Sequence, residues 1–102
     1  MAALTAEPED IPLSLNKSNF STNTTFAQRV GRDVRVYPYV VGVPVKGTTI
    51  ATGLPAPEKQ IILRDAAFGI IAISTKGVMS IASAATSSNA YFGTPVSYWA
   101  AE

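Results

Sequence analysis

The chain has 102 residues, of which 47% are apolar and only 15% charged, with no Cys, no His and a formal net charge of +1. One domain with a single modest core fits that length. The missing Cys and His exclude a disulfide frame, a thiolate nucleophile and a Cys-based zinc centre, and remove the side chain that most often does acid–base work. The near-neutral balance argues against nucleic acid as a partner, which calls for a clustered cationic face. A charge fraction below the usual value of about 25% points to surface covered by other subunits. A structural or binding protein is expected, not an enzyme, with no cofactor and no metal.

Met1 to Pro12 is acidic, punctuated by proline and without periodicity, so it reads as an extended arm, disordered alone or strapped onto a neighbour. Its first ten residues, MAALTAEPED, carry no basic side chain and no long apolar core, which is the wrong polarity for a secretory or transit signal. Apolar stretches such as Ala66 to Ile73 fall far short of the roughly 20 residues that cross a bilayer. No membrane insertion is expected, and synthesis in a cytosol. Leu13 to Asn23 is dense in Ser, Asn and Thr and reads as loop, anchored by Leu13, Leu15 and Phe20. Residues 1–23 are therefore expected as arm and loop, and 24–102 as the folded domain. Asn16, Asn19 and Asn23 each open a glycosylation triplet, a pattern that chance produces readily in such a segment.

From Thr24 onward, short β-like runs alternate with turn residues. Thr24–Val30 and Asp33–Val41 flank Gly31-Arg32, the signature of a hairpin. In the second run Val34, Val36 and Val40 share one parity, and Arg35, Tyr37 and Tyr39 the other, as in a half-buried antiparallel strand. Pro38 lacks the N–H that a ladder needs, so this strand is expected at an edge or with a bulge. Three Pro and three Gly in Gly42 to Pro57 forbid a helix and leave Thr48–Thr52 as a short strand. Gln60–Arg64 is a further strand. Phe68–Ser74 and Val78–Ser83 enclose Thr75-Lys76-Gly77, the clearest hairpin in the chain. After a polar connection, Ala84–Asn89, a last strand spans Ala90–Ala100, interrupted by Gly93 and Pro95. The expected fold is all-β: an antiparallel β-sandwich or barrel-like jelly-roll of about six to eight short strands, with an extended N-terminal arm. Its core is expected from the Val34/Val36/Val40 face and the Ile61/Leu63, Ile71/Ile73 and Met79/Ile81 sets.

Asp33, Glu58 and Asp65 sit beside turns and next to Arg32, Lys59 and Arg64, as solvated loop charges do, rather than as a hydrolytic carboxylate pair. Arg29, Arg32 and Arg35 form the one local concentration of charge. It fits an anionic partner or, more simply, hairpin flanks that discourage edge-to-edge pairing. Among the aromatics, Tyr37, Tyr39, Tyr91, Tyr98 and Trp99, with Arg35, are the candidate interface or ligand contacts, because Tyr and Trp join a large apolar face to a polar tip. Phe68, Phe92 and one of Tyr98 and Trp99 are expected in the core.

The run Phe26-Ala27-Gln28-Arg29-Val30-Gly31-Arg32-Asp33-Val34-Arg35-Val36 resembles the opening hairpin of small β-domains in phage tail-fibre, baseplate and related virion proteins. Lys46-Gly47-Thr48-Thr49-Ile50-Ala51-Thr52-Gly53-Leu54-Pro55-Ala56-Pro57 is similar to a following segment of those domains. The Lys76-Gly77 hairpin and the terminal Tyr98-Trp99 continue the order over about Thr24 to Ala100. The resemblance implies a β-sandwich in a virion, assembled in the host cytoplasm, homo-oligomeric and most often trimeric. It also implies contact with other virion proteins through the N-terminal arm, and in many such domains with host-surface saccharide. Such domains usually end long fibrous chains. With about 23 residues ahead of it here, a small decorator of capsid, tail or baseplate is expected. The alternative is a carbohydrate-binding module for host adsorption.

Overall fold

Two-residue periodicity separates an apolar from a polar side in most of the runs, and the strands pair so that the apolar sides meet. The computed structural model describes residues 8–101, and over them the fold is all-β and antiparallel, consistent with a β-sandwich. Among the described residues the strands are β1 (Glu9–Asp10), β2 (Ser14–Leu15), β3 (Thr22–Asn23), β4 (Phe26–Val30), β5 (Asp33–Tyr37) and β6 (Val40–Gly42). They continue as β7 (Thr49–Thr52), β8 (Ile61–Asp65), β9 (Gly69–Ile73), β10 (Met79–Ala84), β11 (Ala90–Phe92) and β12 (Val96–Trp99). Three sheets result, ordered β1-β4-β5-β12, β2-β7-β10-β9-β8 and β11-β6-β3.

The hairpins fall where the turn residues put them. Gly31 has φ 59° and Arg32 a negative φ, as a type II′ turn requires, and the two-residue loop sets Val30 opposite Asp33 and Phe26 opposite Tyr37. Between β9 and β10, Ser74 N–H donates to Val78 O (2.9 Å) and Gly77 N–H to Ser74 O (3.0 Å), closing the loop Thr75-Lys76-Gly77. β8 and β9 form a hairpin not foreseen from the sequence. There Asp65 Oδ1 accepts the N–H groups of Ala67 (2.9 Å) and Phe68 (3.0 Å), so this carboxylate holds a turn together rather than dangling in solvent.

Two expected strands are each divided between sheets. Asp33–Val41 is not one edge strand bent at Pro38: β5 lies between β4 and β12, and the chain leaves that sheet at Pro38-Tyr39 to enter the three-stranded sheet as β6. The ring can do no harm to the ladder because β5 already ends at Tyr37. Ala90–Ala100 likewise divides at Gly93–Pro95 into β11 and β12, on different sheets. These breaks, and three two-residue strands near the N-terminus, bring the number of strands above the six to eight expected.

Residues 8–23 follow an extended path along the same domain. Glu9 and Asp10 pair with Arg29 and Gln28, Ser14 and Leu15 with Thr52 and Ala51, and Thr22 and Asn23 with Val41 and Val40. Each of the three short strands forms one edge of a different sheet. Residues 1–7 of the expected arm lie outside the described residues. Buried Asn23 secures the strap: its Nδ2 donates to Asn16 O (2.9 Å) and Ile50 O (3.0 Å), and its Oδ1 accepts from Thr25 Oγ1 (2.9 Å). The amide is fully used inside the fold, which leaves Asn23 no role as a glycan acceptor.

All three sheets contribute to one core. Val34, Val36, Val40, Ile71, Ile73, Met79 and Ile81 are buried as expected, joined by Ile50, Phe68 and Phe92, the two rings stacked at 5.6 Å. Fully burying each such side chain stabilises the fold by about 1.5–3 kcal/mol. Ile61 and Leu63 are only partly buried against this core, because β8 is an edge strand.

Candidate functional site

The hairpin register builds a surface on the outer side of the four-stranded sheet. Residues directly opposite in antiparallel strands share a face, so Phe26 lines up with Tyr37, Gln28 with Arg35 and Ser97, and Val30 with Asp33 and Trp99. The valines of β5 turn inward, which leaves these three rows facing solvent. Phe26, 53% exposed, stacks on Tyr37 with ring centroids 4.9 Å apart. Trp99, at 69%, is the most exposed of the large apolar side chains. Between the aromatics run polar pairs: Arg35 Nη2 to Asp33 Oδ2 at 3.3 Å, and Gln28 Nε2 donating to Asp10 Oδ1 at 2.9 Å.

Shallow grooves lie on both sides of the Arg35–Tyr37 ridge. One of about 250 Å³ is lined by Pro8, Gln28, Arg29, Val30 and Asp33 together with the ridge itself. The other, of about 230 Å³, is bordered by Pro95, Val96 and Ser97. Aromatic faces beside paired planar polar groups can stack on a flat apolar surface and exchange hydrogen bonds around it. That is a contact chemistry.

Of the residues singled out from the sequence, Tyr37, Arg35 and Trp99 come together on this face. Tyr39 and Tyr91 do not join them. Because the chain changes sheet at Pro38, Tyr39 lies on the three-stranded sheet and packs edge-on against Tyr91 at 5.2 Å, both about half exposed. Tyr98 is no surface contact. It points inward with Val34 opposite, is 7% exposed, and its hydroxyl donates to Pro55 O at 2.7 Å. The expected division of Tyr98 and Trp99 between core and surface is settled in that sense, since neighbours on a strand face opposite ways. Phe26 and Gln28 were missed, although the two-residue turn already places them opposite Tyr37 and Arg35.

The three arginines do not make one patch. Arg32 donates to Ala100 O (2.8 Å) and pairs with Glu58 (3.2 Å), Arg29 donates to Gly31 O (2.8 Å), and Arg35 holds Asp33. Among the described residues, no group of three or more His, Cys, Asp or Glu side chains is placed to hold a metal ion.

Burial pushes the Tyr98 phenol up from 10.0 to about 12, with the Arg29 guanidinium pulling weakly the other way. A raised pKa means that folding favours the protonated, neutral form. The associated stability is complete below the unfolded value of 10.0 and is lost as pH rises through about 12. In Tyr98→Phe this alkaline loss is expected to flatten, with a smaller constant penalty from the orphaned Pro55 carbonyl. Urea unfolding midpoints of both proteins from pH 9 to 12 check it; parallel curves would contradict it.

Comparisons with protein families, with curated proteins and with solved structures find no match for this chain.

Proposed function

We propose that this protein works by assembly, as a structural β-domain whose contact surface is the outer face of the four-stranded sheet. The observation that carries this reading is exposed Trp99 and Phe26, with half-buried Tyr37 stacked on Phe26, on a sheet whose opposite side is core. Large aromatics on a rigid face lose little conformational entropy when a partner covers them. The resemblance of Thr24 to Ala100 to virion β-domains supports a place in the particle of a tailed phage, as a fibre, baseplate or decorating component in homo-oligomeric form.

A second reading, host adsorption through a saccharide, is favoured by the stacked Phe26–Tyr37 pair beside Arg35–Asp33. One experiment separates the two: wild type and a Tyr37→Ala/Trp99→Ala variant are compared for incorporation into particles and for binding to host cells. Loss of incorporation with the fold intact is the expected result. Retained incorporation with lost cell binding favours adsorption, and a chain absent from purified particles overturns both.

A further inference from the structure

Each sheet has two edges, and the N-terminal strap covers one edge of each. Of the remaining edges, β11 is a three-residue strand and β12 is bridged at Ala100 to Pro57. Among the described residues β8, with five residues, is the longest strand left with an open flank.

Which of its backbone groups are open follows from the ladder. Ser74 N–H donates to Val78 O, so the even-numbered residues of β9 bond to β10 and the odd-numbered ones to β8. Ile73, Ile71 and Gly69 therefore bond Ile61, Leu63 and Asp65, leaving the N–H and C=O of Ile62 and Arg64 directed away from the sheet. The Ile62 side chain is 47% exposed, and Ile61 and Leu63, on the inner side, are only partly buried for want of a neighbour. Open edges of this kind are templates for pairing with another strand.

We propose that β8 pairs antiparallel with β8 of a second copy of this chain, about a two-fold axis at Ile62. The edge is self-complementary. In this register Ile62 meets the partner's Ile62, bonding N–H to C=O in both directions, and Ile61 meets the partner's Leu63. Arg64 then faces the partner's Gln60, and Asp65 the partner's Lys59, so every opposed pair is apolar with apolar, opposite in charge, or polar with charged. No like charges meet. The five-stranded sheets of two copies become one continuous sheet, and the half-buried Ile61 and Leu63 gain the cover that the single chain lacks. This pairing stands or falls independently of whether the protein is found on particles.

The test uses the full chain and its lack of cysteine. Sedimentation equilibrium of the wild type at tens of micromolar is expected to give twice the 10.7 kDa of the chain. Ile62→Pro removes a donor that the intramolecular ladder does not use and is expected to give a folded monomer. Ile62→Lys sets two lysines against each other at the axis and is expected to do the same, which keeps the test valid if the proline variant fails to fold. Ile62→Cys is expected to be joined through a short bis-maleimide into a covalent dimer. A monomeric wild type, an oligomer that survives Ile62→Lys, or an Ile62→Cys protein that does not cross-link within its oligomer each overturns the proposal.

Discussion

Ile73→Asp is expected to leave no folded protein. Ile73 is fully buried at the end of β9, with Ile61 on one side and Met79 on the other. The substitution forfeits about 1.5–3 kcal/mol of apolar burial. It also forces a carboxylate into an apolar interior, or holds it protonated there, at a cost of several kcal/mol more. A domain of this size has only about 5–15 kcal/mol of net stability to lose. Far-UV circular dichroism and native mass read the outcome. A soluble variant with wild-type strand content would show that Ile73 does not face the core and that the register of β9 is wrong.

Gly77→Ala is expected to damage the fold far more than the addition of one methyl group suggests. Gly77 has φ 76°, and a Cβ placed there would overlap Leu54 O, a backbone atom that cannot rotate away. The two segments are also joined by Leu54 N–H donating to Gly77 O at 3.2 Å, so relieving the clash means breaking that bond and reopening the hairpin. Gly31 supplies the control: it too has positive φ, 59°, but a Cβ there meets nothing within 4 Å. Gly31→Ala is expected to cost only the conformational penalty, about 1–3 kcal/mol. Gly77→Ala adds the clash and is expected to cost at least about 3 kcal/mol, lowering Tm by more than about 10 °C. Equal losses in the two variants would mean that the approach to Leu54 is not part of the native packing.

Much of the fold was legible because local rules decided it. The parity of Val34, Val36 and Val40 marked an inward face, and Gly31 and Gly77 marked turns that impose their own registers. From the Gly31-Arg32 turn alone the opposition of Phe26 to Tyr37 follows, and with it the outer aromatic face. What stayed hidden was decided at long range. A strand of two residues, such as Ser14–Leu15, has no periodicity to read, and its pairing with Thr52 and Ala51 depends on a sheet built later in the chain. Locally Pro38 implies only an edge or a bulge in one strand, whereas tertiary packing uses it as the point of transfer between sheets, which is why Tyr37 and Tyr39 part company. Tyr98 and Trp99 were distinguishable only once the phase of β12 against β5 was known.

The strap of residues 8–23 has a consequence for the order of events in folding. It precedes its partners in the chain, so its three strands must wait for segments ending at Val30, Gly42 and Thr52, and all three sheets need still later strands to be complete. Those later strands make the widest closures, with Trp99 of β12 brought opposite Asp33 and Ala90 of β11 opposite Gly42. Contacts of such high order slow folding into the millisecond-to-second range. A nascent chain will spend that interval with one flank each of β5 and β6 unguarded, and the arrival of β12 and β11 is the step that ends their exposure.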